Sequence, residues 1–188
     1  MRIIAGEFRA RLLTPPPGDA TRPITDRAKQ SIFDVLNPLI DDAVVFDCFC
    51  GTGSMGLECL SRNARQAFFF DADRGALLGL KKNIDALGVQ SRSRVLAGDL
   101  FKRIPTLKDQ PSLIFLDPPY RYLVEKPLPL QQLSLVLSKM STPDATLIFR
   151  HDTKDQLSLP GWEQADVRTY GSMTIELLNP SNIPEPGA

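Results

Sequence analysis

The chain has one histidine, three cysteines and no net charge across 188 residues. No apolar run approaches the roughly 20 residues needed to cross a bilayer. Each shortage excludes something. Cys48, Cys50 and Cys59 are odd in number and crowd the middle of the chain, which rules out a disulfide framework. Cys48 and Cys50 stand one residue apart at a strand end with no partner cluster. They read as buried small side chains rather than metal ligands or nucleophiles, and no metal is expected. His151, the lone histidine, reads as a surface loop residue. A zero charge balance argues against a generic polyanion binder. The first residues lack a long apolar core and a cleavage signature. Together these points lead to the expectation of a cytoplasmic, monomeric protein that does not engage a membrane.

What the sequence does contain is alternation. Residues 2–13 read as a hairpin turning at Gly6, with Phe8, Ala10 and Leu12 on one face and Arg9 and Arg11 on the other. Thr14-Pro15-Pro16-Pro17-Gly18 and Thr21-Arg22-Pro23 form a stiff loop. Thr25 is a good N-cap for a helix with Ala28, Ile32, Val35, Leu36 and Leu39 at helical spacing. Strands follow at 43–47, 66–71, 94–97, 113–116 and 145–150. The helix after Asp73 carries Ala76, Leu77, Leu80, Ile84 and Leu87, and Gly88 closes it. Its Gly75 and Gly79 weaken it without an evident reason. A polar, proline-spaced loop after Tyr120 leads to a helix with Leu130, Leu133, Leu135, Val136 and Met140. Residues 162–169 and 172–178 read as a closing antiparallel pair, and a loose tail begins at Asn179. The pattern predicts an α/β, Rossmann-like, mostly parallel doubly wound sheet with an antiparallel edge. Residues 1–40 form an N-terminal hairpin and helix extension, 41–179 the main domain and 180–188 a flexible tail.

Two motifs sit at strand ends, where open α/β sheets bind ligands. The apolar run Leu113-Ile114-Phe115-Leu116 leads into Asp117-Pro118-Pro119-Tyr120. Proline cannot continue a central strand, so the chain leaves the sheet here. Asp117 offers acceptors only, the prolines stiffen the backbone and leave carbonyls free, and Tyr120 offers a flat face. That set suits an amino group on a flat ring, such as a nucleobase amine. A plain turn is the bland alternative.

The second motif, Gly51-Thr52-Gly53-Ser54-Met55-Gly56, satisfies G-x-G-x-x-G between a strand and a helix. Asp71 follows twenty residues after Gly51, placed for a ribose hydroxyl pair. NAD and S-adenosylmethionine (AdoMet) are both compatible with this loop. Asp47 favours the second, because a carboxylate there repels a pyrophosphate but suits an α-ammonium. Asp99 could receive adenine's amino group. Asp47, Asp71, Asp99 and Asp117 together make an acidic rim suited to a sulfonium.

Asp47-x-Phe49-x-Gly51-Thr52-Gly53 with Asp117-Pro118-Pro119-Tyr120 resembles the AdoMet-dependent amino-methyltransferases of nucleic acids. Arg2-Ile3-Ile4-Ala5-Gly6 with Arg9-x-Arg11, Thr21-Arg22-Pro23-x-Thr25-Asp26-Arg27, Leu57-Glu58-x-Leu60-Ser61-Arg62 and Tyr170-Gly171 narrow the resemblance. They are similar to the bacterial small-subunit ribosomal RNA guanine-N2 methyltransferases, the RsmD-like family, over nearly the whole chain. The resemblance implies a seven-stranded methyltransferase sheet, AdoMet as donor and a guanine of 16S rRNA as acceptor, met within a small-subunit assembly particle. It implies cofactor contacts at Asp47, Phe49, Gly51, Thr52, Gly53, Asp71, Ala72, Asp99 and Leu100. The catalytic lip is Asp117, Pro118, Pro119 and Tyr120, and phosphate contacts fall to Arg2, Arg9, Arg11, Arg22 and Arg27. Residues 1–30 carry six basic against three acidic side chains. Cys50 and Asp71 depart from the family's usual alanine and glutamate, and Arg150-His151 lies where something more acidic is expected.

Three other readings compete. A DNA adenine or cytosine amino-methyltransferase needs a larger recognition region. An NAD-dependent dehydrogenase leaves Asp117-Pro118-Pro119-Tyr120 unexplained. A non-catalytic ribosome-assembly factor leaves the intact Asp117 and glycine loop unexplained.

Overall fold

The computed structural model describes residues 1–15 and 24–181, the Pro105 side chain apart. The expected loop at 16–23, with Arg22, and the residues beyond 181 lie outside that set. The elements run α1 (Asp26–Leu36), β1 (Val44–Cys48), α2 (Ser54–Ser61), β2 (Gln66–Asp71), α3 (Arg74–Leu87), β3 (Ser93–Ala97), α4 (Leu100–Arg103), β4 (Leu113–Leu116), α5 (Arg121–Glu125), α6 (Pro127–Met140), β5 (Thr146–Asp152), β6 (Trp162–Tyr170) and β7 (Met173–Pro180). They build one seven-stranded sheet in the order β3-β2-β1-β4-β5-β7-β6. The first five strands pair in parallel and β7 runs antiparallel to both its neighbours.

The central strands are buried on both faces because helices cover both. Along β2, Ala67 and Phe69 join α1, α2 and α3 in one core. Phe68 and Phe70 join α4, α5 and α6 in the other. All three phenylalanines are fully buried, so the run is core strand. Ile3 and Leu13, from the N-terminal arm, pack into the same cluster as Ile32, Leu57 and Phe115.

Local chemistry sets the helix ends. Thr25 accepts the Ala28 N–H, and Asp73 accepts the Ala76 N–H at 2.7 Å. Gly88 takes a left-handed conformation (φ 69°) at the end of α3. Gly79 finds its reason in packing, because a Cβ there would stand 2.9 Å from Thr52 Cγ2. The helix must lie close against the glycine loop.

Four expectations need correction. The segment after Tyr120 is helical (α5, then α6 from Pro127), because prolines in a helix's first turn lack only an N–H that has no intrahelical partner. The alternation in the N-terminal arm breaks at Ala10 (φ 66°). Leu12 is therefore 81% exposed, and Leu13 is buried instead. The arm's two halves are joined by an antiparallel bridge, Arg2 to Leu12, and by three backbone hydrogen bonds, from Ile3 N–H to the Arg11 carbonyl, Ala10 N–H to the Ile3 carbonyl and Leu13 N–H to the Met1 carbonyl. Along α6, Leu137 rather than the half-exposed Leu135 fills the core. Asn179 and Pro180 belong to β7, paired with Glu163 and Trp162.

Gly6 is where the arm meets the body. It adopts φ +83°, and a Cβ there would lie 1.8 Å from the Ser61 carbonyl oxygen. The contact is held by Glu7 N–H to the Ser61 carbonyl at 2.7 Å and by Ser61 Oγ to the Ala5 carbonyl at 2.6 Å. Gly6→Ala is expected to cost at least about 1–3 kcal/mol by overpacking. For a chain of this size that is roughly 2–12 °C in Tm, measured by thermal denaturation.

Candidate active site

After β3 the chain crosses over β2 and β1 to begin β4. The topological switch point therefore lies between β1 and β4, and ligands bind outside the strand carboxyl ends at such points. Both sequence motifs converge there. The Asp117 N–H donates to the Cys48 carbonyl at 3.4 Å, tying the end of β4 to the end of β1. The Cys50 N–H donates to the Phe70 carbonyl at 3.0 Å, tying the glycine loop to β2.

Phe49 starts the glycine turn with φ 61°. A non-glycine residue in that region costs of order 1–3 kcal/mol and is held only by its surroundings. Here the Phe49 ring meets Phe101 edge-on at 6.2 Å and Tyr122 at 5.8 Å. Spacing within the sequence gave no sign of this aromatic trio, because its members come from three separate segments. Within the loop, Thr52 and Gly53 are buried. Asp71 Oδ2 accepts the Gly51 N–H at 2.7 Å and Oδ1 accepts the Asp73 N–H at 2.9 Å. This acid thus fixes the loop and the start of α3 together. Asp99 is exposed and caps α4 through the Phe101 N–H at 3.1 Å. Ala72 is exposed and Leu100 buried.

Asp47 is 2% exposed. Its Oδ2 accepts the Gly56 N–H at 2.8 Å. Burial, with repulsion from Asp117 and Asp71, pushes its carboxyl up to about 8, against the Gly56 bond and Lys29. A carboxyl so placed gains from a cation and loses from an anion.

At the other lip, Pro118 is buried while Tyr120 is 39% exposed. The Pro119 carbonyl is taken by the Tyr122 N–H at 2.7 Å. Only one of the two proline carbonyls thus stays available, since no N–H among the described residues pairs with the Pro118 carbonyl. Asp117 is not alone. Arg150 Nε donates to its Oδ1 at 2.6 Å, and Arg150 Nη2 pairs with its Oδ2. β5 extends two residues past its expected end, which brings His151 and Asp152 into the sheet beside Arg150. His151 is correspondingly not a surface loop residue. It is buried, stacked on Phe149 at 4.9 Å and bonded through Nε2 to Glu176 at 3.1 Å. The Glu176 bond outweighs burial and raises its pKa.

The three thiols are buried, and burial pushes all of them well up, so none is a poised nucleophile. Arg9, Arg11 and Arg27 are exposed. Arg2 is exposed too, but is paired with Asp26 at 2.6 Å.

The family described as conserved hypothetical protein 95 matches residues 1–179. The ribosomal RNA small subunit methyltransferase D of Haemophilus influenzae is 30% identical over 182 residues, covering 94% of this chain and 92% of that protein. The Escherichia coli K12 protein of the same name is 37% identical over 121 residues, 64% of this chain and 61% of the relative. The match therefore spans about three fifths of that relative. The solved structure of Escherichia coli yhhF superposes with a TM-score of 0.82 at 30% identity, covering 96% of this chain and 97% of the other. The chain belongs to the RsmD-like family.

In this RsmD-like chain, the N-terminal signature residues serve structure first. Glu58 is fully buried on α2. It accepts the Ile4 N–H at 2.8 Å, the Ala5 N–H at 3.0 Å, Lys29 Nζ at 2.9 Å and Arg62 Nε at 3.0 Å. Lys29, counted in sequence with the basic arm, is 1% exposed and cannot reach a phosphate. Tyr170 OH meets Ser31 Oγ at 2.7 Å, joining the last hairpin to α1.

Proposed function

We propose that this protein transfers a methyl group from AdoMet to the exocyclic N2 amine of a guanine in small-subunit ribosomal RNA. The observation that carries the reading is the juxtaposition of the Asp117-Pro118-Pro119-Tyr120 lip with the glycine loop across the β1–β4 switch point. The donor set fits the cofactor on its chemistry. Buried Asp47 disfavours a pyrophosphate and favours a cation, and Asp71 stands beside Gly51 at the end of β2 for a ribose. Asp47, Phe49, Gly51, Thr52, Gly53, Asp71, Ala72, Asp99 and Leu100 would hold AdoMet, whose sulfonium supplies an electrophilic methyl group.

The chain's own groups deal with the acceptor. A guanine amine is a poor nucleophile because its lone pair is shared with the ring. Asp117 and the Pro118 carbonyl each accept one N–H, which orients the nitrogen. Tyr120 stacks on the base. Asp117 also faces the positive charge that the nitrogen acquires. Orientation alone can supply about 7–11 kcal/mol of the barrier, against a few kcal/mol to take a base out of its stack. Exposed Arg9, Arg11 and Arg27, with Arg2 and Arg22, contact phosphates, and each such contact steepens the salt dependence of binding. The family's printed names support ribosomal RNA as the substrate class. Incubation with labelled AdoMet and deproteinised 16S rRNA, followed by nucleoside analysis, tests this directly. Label recovered as N2-methylguanosine is the expected result, and label in adenosine or cytidine alone would refute it.

Asp47 makes the cofactor step pH-dependent. Its folded value of about 8 lies above its ordinary 3.8. In the ligand-free protein its contribution to stability is therefore complete below that ordinary value, falls as pH rises toward 8 and is level above. A cationic ligand prefers the carboxylate, so binding releases a proton. AdoMet affinity is expected to rise between pH 6 and 8 and then flatten, and Asp47→Asn should remove this rise. Calorimetry in buffers of different ionisation enthalpy measures both the affinity and the proton.

A further inference from the structure

Asp117 stands in an unfavourable place for an acceptor. Asp47 at the end of β1 repels it, with Asp71 behind. Asp152 and Asp155, around the end of β5, also bear on the same lip through Tyr120. Positive charge reaches Asp47 from Lys29 beneath the sheet. At Asp117 itself the described cation is Arg150. Its Nε and Nη2 engage the two carboxylate oxygens separately, in the fork–fork geometry that gives the strongest charge-assisted pairs. The third nitrogen, Nη1, meets only the Met173 thioether at 3.8 Å, so Asp117 is the guanidinium's strong acceptor among the described residues. Both side chains keep about a fifth to a quarter of their surface open, 21% for Arg150 and 24% for Asp117. A carboxylate has about four lone-pair positions, so the fork leaves room for an incoming N–H.

We infer that Arg150 is a positioning residue for methyl transfer: its fork fixes the Asp117 carboxylate in orientation, so that the unused lone pairs face the amine. This rests on the reading of Asp117 as the amine acceptor. Arg150 acts through Asp117 and touches no reacting atom. Lysine can supply the charge but not the fork, which separates orientation from charge.

The experiment compares wild type, Arg150→Gln and Arg150→Lys at one pH. It uses labelled AdoMet and small-subunit ribosomal RNA from cells lacking the gene, and AdoMet affinity is measured separately. Arg150→Gln is expected to lower kcat by about 10- to 100-fold. The KM for RNA and the AdoMet affinity should stay within about twofold, which also shows that the fold survives. Arg150→Lys, which keeps the charge without the fork, should recover only part of the rate. A glutamine variant within about threefold of wild type, or a lysine variant at the full wild-type rate, overturns the inference while leaving the proposed function standing. A wild-type protein that binds AdoMet and methylates no guanine amine overturns both.

Discussion

Asp117→Ala lowers methyl transfer by about 10²–10⁴-fold, the range for losing a positioned group of this kind. AdoMet affinity stays nearly unchanged. The two effects separate because Asp117 belongs to the lip after β4, whereas the proposed cofactor contacts come from the loops after β1, β2 and β3. The substitution removes the acceptor for one amine N–H and leaves the Pro118 carbonyl as the other. It also leaves Arg150, partly buried on β5, with only the Met173 thioether at 3.8 Å. Asp117→Asn is the sharper probe. It keeps the volume and one acceptor oxygen but replaces the anion with a group that also donates. Its rate is expected to fall nearly as far as that of the alanine variant. Single-turnover kinetics with bound AdoMet measures this without interference from product release, and a variant within about threefold of wild type would remove Asp117 from the reaction.

The second large effect is on stability. In Glu58→Ala, Lys29 is left 1% exposed with its carboxylate gone. The Ile4 and Ala5 N–H groups lose their acceptor as well. Breaking a buried pair by removing one partner costs about 3–5 kcal/mol. For a domain of this size that corresponds to roughly 6–20 °C in Tm. The loss should be greater than that for Arg62→Ala, because Arg62 sits at the edge of the network and Lys29 at its centre. Burial lowers the Lys29 pKa even with Glu58 beside it. Without Glu58 the lysine favours its neutral form, which limits the cost at alkaline pH, so the deficit should shrink as pH rises. Lys29→Met in the Glu58→Ala background removes the stranded charge and is expected to recover part of the loss. Differential scanning calorimetry across pH 6 to 9 checks both trends. An undisturbed Tm in Glu58→Ala would show that the N-terminal arm is held by Ile3, Leu13 and the Ser61 contacts without help from Glu58.

These two predictions fall on opposite sides of what could be read from the chain. Asp117 announced itself, because an acid and two prolines following four apolar residues can only be a strand's exit. Asp71 did so through its distance from Gly51, and Asp73 and Gly88 through the ordinary chemistry of helix ends. Glu58 stood in the sequence only as part of a family signature, since helical spacing alone cannot say that three chain segments will close over it. Ala10 broke the alternation of the arm by one left-handed residue, and a period-2 pattern carries no warning of that. His151 was misplaced for a similar reason. β5 runs two residues past its expected end at Arg150, because β7 lies alongside it to pair with them.

Local order is written in the sequence. Hydrophobic period, caps and turn residues act over a few positions, and they determined the alternating strands and helices, the parallel sheet and the two loops at its carboxyl edge. Which charges meet is decided by strand order. Asp117 and Arg150 are 33 residues apart and become neighbours only because β4 and β5 pair in parallel, with their carboxyl ends on one edge. Lys29 and Glu58 meet because α1 and α2 share one face of the sheet. Pairing energy depends on distance in space and on the water excluded around it, and neither exists until the chain has folded.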